Sequence, residues 1–372
     1  GILRLPGRDA QVSPRQALCT ALAATVGTGN IVGVAGAICL GGPGAVFWMW
    51  VSGFFGMATK FAEVALAERF AKGAVGGPMY TIERGLPGRY RFLAVCYCVF
   101  GLGASFGVGN ATQIGAVVDG AHQVLGLLGI APRRGYDFLL GLLLAACVGA
   151  VLIGGVKRIG QAAERLVPGA SLGYVLLCLM VLLFRRENLF PAVRSIFLGA
   201  FSPGAFTGGA VGSAAVCLSV GCARGVFSNE AGMGTASMAY MAAPGESVEK
   251  GILGLFEVLT DTLVICTLTA LAILCAGVDI AYGVDAGGSL APRAFGAVLG
   301  PWAVVLLTLF LCVFAFATVL GWGLYGARCA QFLFGARAWK FFVAAQMAAV
   351  VAGACLQTGV VWSAAEAVNG LM

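Results

Sequence analysis

Charge is scarce in this sequence. Asp, Glu, Lys and Arg together make up 10% of its 372 residues, against about 25% in soluble domains. Histidine is nearly absent, at one residue. That removes His-based metal sites, Ser-His or Cys-His nucleophile pairs and the H-E-x-x-H motif. Cysteine is present at 13 residues, but the count is odd and no C-x-x-C pair occurs. Most cysteines, Cys19, Cys39, Cys147, Cys178, Cys266 and Cys312 among them, lie in apolar runs and act as small hydrophobes rather than a disulfide framework. No basic stretch with interleaved aromatics offers a nucleic-acid surface.

What is there instead is apolar: 60% of the residues are hydrophobic and the mean hydropathy is +0.94. Soluble domains carry about 45–50% apolar residues, and ordinary cores cannot hide such an excess. The same numbers exclude disorder. An all-α integral membrane protein is the class that remains.

A crossing needs about 20 apolar residues. That window places spans near 16–40, 44–68, 91–126, 137–156, 166–184, 203–240, 251–277, 291–327 and 340–358. A tenth starts near Val361. The third, sixth and eighth stretches are too long for one straight crossing and must tilt, break or extend beyond the bilayer. The chain shows no signal-peptide pattern. It has no initiator Met and stops within an apolar run at Met372, so it reads as a piece of something longer. Lys and Arg divide fifteen to six between the two sides, with Lys60 and Arg224 in the membrane. That bias puts the first arm and the even-numbered loops in the cytoplasm and explains the net charge of +7 as contact with anionic lipid.

Glycine, at 57 residues, mostly serves close helix packing. Two clusters differ because they mix Gly with polar side chains at the middle of a span: Thr25 to Gly33 (TVGTGNIVG) and Gly225 to Thr235 (GVFSNEAGMGT). Backbone that leaves a helix at membrane depth must be satisfied by protein or a cavity. The new helix ends offer N–H groups to a carboxylate and carbonyl oxygens to a small cation. The clusters fall in the first and sixth spans, the separation that a five-plus-five inverted repeat produces. We therefore expect repeat one over about 16–184 and repeat two over about 203–372. Gly27-x-Gly29 is not a dinucleotide loop, since no strand precedes it and the third glycine is misplaced.

Other intramembrane polar residues have two readings each. Lys60 and Glu63 share a helix face and read as a structural pair. Glu257 and Asp261 also share a face, with Arg224 as a candidate partner and Glu230 nearby. They form either a structural network or a proton- or cation-linked gate. His122 is expected beside Asp119 at a span end. Trp48, Trp50, Trp302 and Trp362 read as interface anchors, whereas Trp322 fits a pocket wall as well as plain packing.

Several runs carry a resemblance: Ala21–Ala35, Gly41–Trp50, Gly56–Glu63, Gly76–Tyr80, Phe227–Gly234 and Phe314–Trp322. In order, over nearly the whole chain, they resemble the sodium:alanine/glycine symporters, the alanine-or-glycine:cation symporter family. The resemblance implies a leucine-transporter-like fold with two inverted five-helix repeats and broken first and sixth core helices. By the same resemblance, the chain is expected to lack the extra helix before the first core helix and most of the last core helix. The implied activity is secondary active symport of sodium with alanine or glycine by alternating access, in the cell membrane, without a cofactor. Sodium enters as a co-transported ligand, and the partners are a small neutral amino acid and the lipid bilayer, not nucleic acid.

Carried over by resemblance, Thr28 and Gly29 would meet the substrate carboxylate, and Gln113, Phe227, Ser228, Asn229 and Trp322 would complete the pocket. Ala23, Val26 and Thr318 would hold sodium. Thr25 and Asn30 would contribute to a second cation position. Family members often carry Ser where Ala317 stands. Ion channels and intramembrane enzymes predict charged filters or nucleophile–base pairs, and neither pattern occurs. Proton coupling through Glu257 or Asp261 is the alternative within transporters.

Overall fold

A computed structural model of the protein describes residues 11–202, 204, 213–284 and 287–356. The expected tenth span, Trp362 and most of the start of the sixth stretch lie outside the described residues. Within them the architecture is helical throughout, apart from one isolated bridge between Lys72 and Val75.

The first helix begins where local chemistry says it should. Ser13 accepts from the Gln16 N–H while Gln16 caps the Ser13 N–H in return, and Pro14 occupies the first turn. This capping box satisfies backbone donors that a helix start leaves free. Helix α1 (Pro14–Thr25) stops inside the membrane span and α2 (Val32–Gly41) resumes it, with a 3-10 turn at Thr28–Asn30 between them. Then follow α3 (Ala45–Phe70), α4 (Pro78–Gly85), α5 (Arg91–Phe106), α6 (Thr112–Leu127), α7 (Arg134–Leu152), α8 (Gly155–Phe184) and α9 (Leu189–Phe201). The second part contains α10 (Ala214–Asn229), α11 (Ser237–Tyr240), α12 (Ser247–Val258), α13 (Thr267–Cys275), α14 (Gly287–Leu299), α15 (Pro301–Phe334) and α16 (Ala338–Cys355).

The three overlong stretches resolve differently. The third is one continuous helical run because a π segment, Gly107–Ala111, joins α5 to α6. The sixth stops at Asn229, where Glu230 takes a left-handed conformation with φ 55° and the chain leaves the helix until Ser237. The eighth is two helices. Gly300, at φ +88°, ends α14, and Pro301 starts α15. A sliding apolar window runs straight across that Gly-Pro pair.

The surface is apolar, and the largely apolar interior also holds charged and polar side chains. Lys60, Glu257, Asp261 and Asn30 are completely buried, whereas Phe54, Phe55, Leu139, Leu183 and Phe341 are well exposed. Six helical runs among the described residues are long and apolar enough to cross a membrane. In hydrocarbon this arrangement is favourable, since lipid accepts apolar side chains and polar groups must find partners in protein. The long helix α15 packs against α1, α5, α6 and α8, and α3 against α10 and α12. The α1–α15 approach is close. A Cβ added at Gly321 would stand 2.8 Å from Ala24. These contacts bring α1, α12 and α15 around the two breaks.

Candidate functional site

At the first break the N–H of Gly27, which would continue the helical ladder onto the Ala23 carbonyl, donates instead to Asn30 Oδ1 at 2.8 Å. The next N–H, of Thr28, donates to Gln113 Oε1 at 3.1 Å. Gln113 is held in turn by donating to the Val108 carbonyl at 3.0 Å, within the π segment. A π segment shifts the ladder by one residue and so frees a carbonyl for such use. Thr318 comes in from α15, its hydroxyl 3.5 Å from the Val26 carbonyl. Gly27 has no room for a side chain, because a Cβ there would stand 2.6 Å from Thr318 Oγ1 and 3.0 Å from Gln113 Oε1.

Asn30 then reaches across to the second break. Its Nδ2 donates to Asp261 Oδ1 at 2.7 Å and to Ser228 Oγ at 3.2 Å. Ser228 donates to Asp261 Oδ2 at 2.7 Å and Thr262 to the same oxygen at 2.8 Å. Asn229 donates to Thr262 Oγ1 at 3.1 Å and accepts from the Ala231 N–H at 3.0 Å. Asp261 sits in a second π segment, Leu259–Cys266. It joins the two breaks, and the three side chains that hydrogen-bond it are all uncharged.

Of the residues named from sequence, the structure gathers Val26, Thr28, Gln113 and Thr318 around Gly27, and Asn30, Ser228 and Asn229 around Asp261 and Thr262. Ala23 is fully buried on α1, in the turn that precedes the break. The Thr28 hydroxyl is buried with no hydrogen-bond partner. Gly29 lies under the Phe227 ring, where an added Cβ would be 3.6 Å from the nearest ring carbon. The Thr25 hydroxyl turns back to the Ala21 carbonyl of its own helix at 3.3 Å. Trp322 is buried and donates to Glu230 Oε1 at 2.7 Å, which ties α15 to the residue that ends α10.

Several sequence pairings are corrected. Lys60 forms its ion pair with Glu257, at 3.3 Å, not with Glu63. Glu257 and Asp261 do not share a partner: Glu257 takes Lys60 and the Tyr240 hydroxyl at 2.8 Å, and Asp261 takes the junction side chains. His122 bonds Asp137 at 2.6 Å, a partner not expected from sequence. Trp48 and Trp50 face inward enough to bond the Ala200 carbonyl and Thr267 Oγ1. Tyr240 and the Glu230–Trp322 pair carried no signal in sequence, since each partner comes from another segment, and Thr262 was missed although it bonds its neighbour Asp261.

The fold is of the leucine-transporter-like class. The crystal structure of MhsT in complex with L-phenylalanine matches with a TM-score of 0.67 at 15% identity, over 94% of this chain and 81% of that one. Within that class the chain belongs to the sodium:alanine symporter family, whose model matches residues 4–372. The sodium/alanine symporter AgcS of Methanococcus maripaludis is 40% identical over 98% of this chain and 80% of its own length. The Bacillus subtilis protein described as probable sodium/glutamine symporter GlnT is 36% identical, over 97% of this chain and 74% of its own. The protein is thus a multi-pass membrane transporter of the sodium-coupled amino-acid symport type, not an enzyme.

Proposed function

We propose that the protein carries alanine or glycine inward together with sodium, by alternating access of two inverted repeats spanning about 16–184 and 203–372. The reading rests above all on Asp261, a buried carboxylate bonded only by uncharged groups, standing where both helix breaks meet. A buried anion calls for a counter-charge, and a co-transported sodium ion supplies one while sensing both breaks at once. Asn30 and Ser228, and in this reading Thr25 from the end of α1, belong to this position. The Ala23 and Val26 carbonyls with the Thr318 hydroxyl form a separate one.

The amino acid binds between the breaks in this reading. Its carboxylate meets the unpartnered Thr28 hydroxyl and the backbone at Gly29, and Gln113, Phe227, Ser228, Asn229 and Trp322 enclose the rest. The Phe227 ring over Gly29 leaves space for a small side chain only. The membrane potential contributes about 2.3 kcal/mol per charge per 100 mV. With the first arm cytoplasmic, that force points inward.

Uptake of labelled alanine by proteoliposomes tests the reading. Uptake is expected to follow an imposed sodium gradient, with glycine competing and glutamine not. Uptake that ignores sodium and follows a pH gradient overturns it. Gly29→Val should remove alanine binding while the protein still inserts, because the added methyl groups occupy the space beneath Phe227.

A further inference from the structure

A second buried polar centre lies around Lys60, away from Asp261. Three carboxylates act on the Lys60 charge: Glu257 from α12, Glu230 from the end of α10, and Glu63 one turn along α3. Their hydrogen bonds separate them. Glu257 has Lys60 beside Oε1 and accepts from Tyr240 on Oε2. Glu230 accepts from Trp322 on Oε1 and from Thr235 on Oε2, at 2.7 and 2.6 Å. Glu257 Oε1 makes no hydrogen bond but stands beside the Lys60 ammonium, so in both residues each oxygen faces a cation or a donor, the surroundings of an ionised carboxylate. Glu63 differs. The Gly232 and Gly234 N–H groups face its carboxylate, yet its Oε2 is buried without a hydrogen-bond partner. One ammonium among three carboxylates leaves this centre short of positive charge, which is costly at membrane depth.

Glu63 lines an open cavity of about 240 Å³ between α3, α4, α5 and the non-helical stretch before α11. At roughly 30 Å³ per water molecule, that is room for several waters. The hydroxyls of Thr81, Tyr97 and Ser237 line it too. Each donates its proton to a backbone carbonyl: Gly77 at 3.3 Å, Met233 at 3.0 Å and Gly234 at 2.6 Å. With their protons engaged, these hydroxyls have only lone pairs left to offer, and the occupant such a wall suits is a donor or a positive ion.

We propose that this cavity is a station for a small monovalent cation, held in part of its water shell by Glu63 and the three hydroxyl oxygens, distinct from the positions at the helix breaks. Two ions share that chemistry, sodium and the proton. The non-helical stretch that ends the second break forms one wall, so a cation here meets that segment directly.

Equilibrium binding of radiolabelled sodium to the full chain in detergent, without amino acid or gradient, separates the possibilities. If sodium is the occupant, Glu63→Gln binds one sodium fewer per chain than wild type, and Glu63→Gln with Asp261→Asn loses one more. If the proton is the occupant, the sodium count is unchanged, but a pH-sensitive infrared carbonyl stretch of a protonated carboxyl disappears in Glu63→Gln. A variant with unchanged sodium count and unchanged infrared spectrum overturns the proposal. Should Glu63→Gln fail to fold, Thr81→Val removes one wall oxygen without touching a buried charge. It is expected to weaken sodium binding several-fold or to shift the pH midpoint of the band, and no change in either overturns the proposal. Because no transport is measured, a failed station leaves the symport reading standing, and a failure of sodium-driven uptake leaves the station standing.

Discussion

Glu257 and Asp261 stand one helical turn apart on the same span and are both completely buried, yet their surroundings differ in kind. Glu257 meets an ammonium from α3 and a phenol from α11. Asp261 meets an amide and two hydroxyls, from α2's entry turn, α10 and its own segment. The first carboxylate has a counter-charge covalently built into the protein, so it joins α3 to α12 permanently. The second has only dipoles around it, and in the function proposed here its counter-charge is the co-transported ion. Spacing alone would treat the two acids as one pair, and the packing makes one structural and the other available.

The contrast can be broken most directly at Lys60. Lys60→Met leaves Glu257 buried without its cation and is expected to cost about 3–5 kcal/mol of stability, read from unfolding in detergent. Lys60→Met combined with Glu257→Gln should recover most of that loss, since an uncharged pair avoids the stranded anion. A double variant as unstable as the single one would show that the ion pair is not what holds α3 to α12. At the other acid the expected effect is smaller and of a different kind. Asp261→Asn keeps a group of the same shape, so the fold should persist, but stabilisation by sodium should vanish. With sodium at a hundred times its dissociation constant, wild type gains about 2.7 kcal/mol. An unfolding temperature that still rises with sodium in Asp261→Asn would remove the distinction between the two acids. Smaller again is Tyr240→Phe, which deletes one hydrogen bond to a charged acceptor, worth about 1.5–3 kcal/mol. Its sodium response should match wild type, because Tyr240 touches Glu257 and not Asp261.

The first break was legible because Gly27, Thr28, Gly29 and Asn30 interrupt an apolar run with residues that suit non-helical backbone. The second was legible as a region only. Its glycine cluster starts at Gly225, but the helix holds to Asn229 and the turn falls on Glu230, whose left-handed conformation is uncommon outside glycine. The division of the eighth stretch was written in Gly300-Pro301, yet hydropathy averaged over it. Asp261 was picked out as an intramembrane acid, but its role at the junction was not visible, because Asn30 and Ser228 lie in other spans.

Composition and local pattern by themselves determined that this chain is a helical membrane protein with interrupted spans, since hydropathy and glycine placement act over a few turns of one segment. Which base answers which acid was decided only when the helices packed. An ammonium at Lys60 can reach Glu63 along its own helix or Glu257 across an interface, and the choice depends on which neighbour the fold brings within about 3–4 Å.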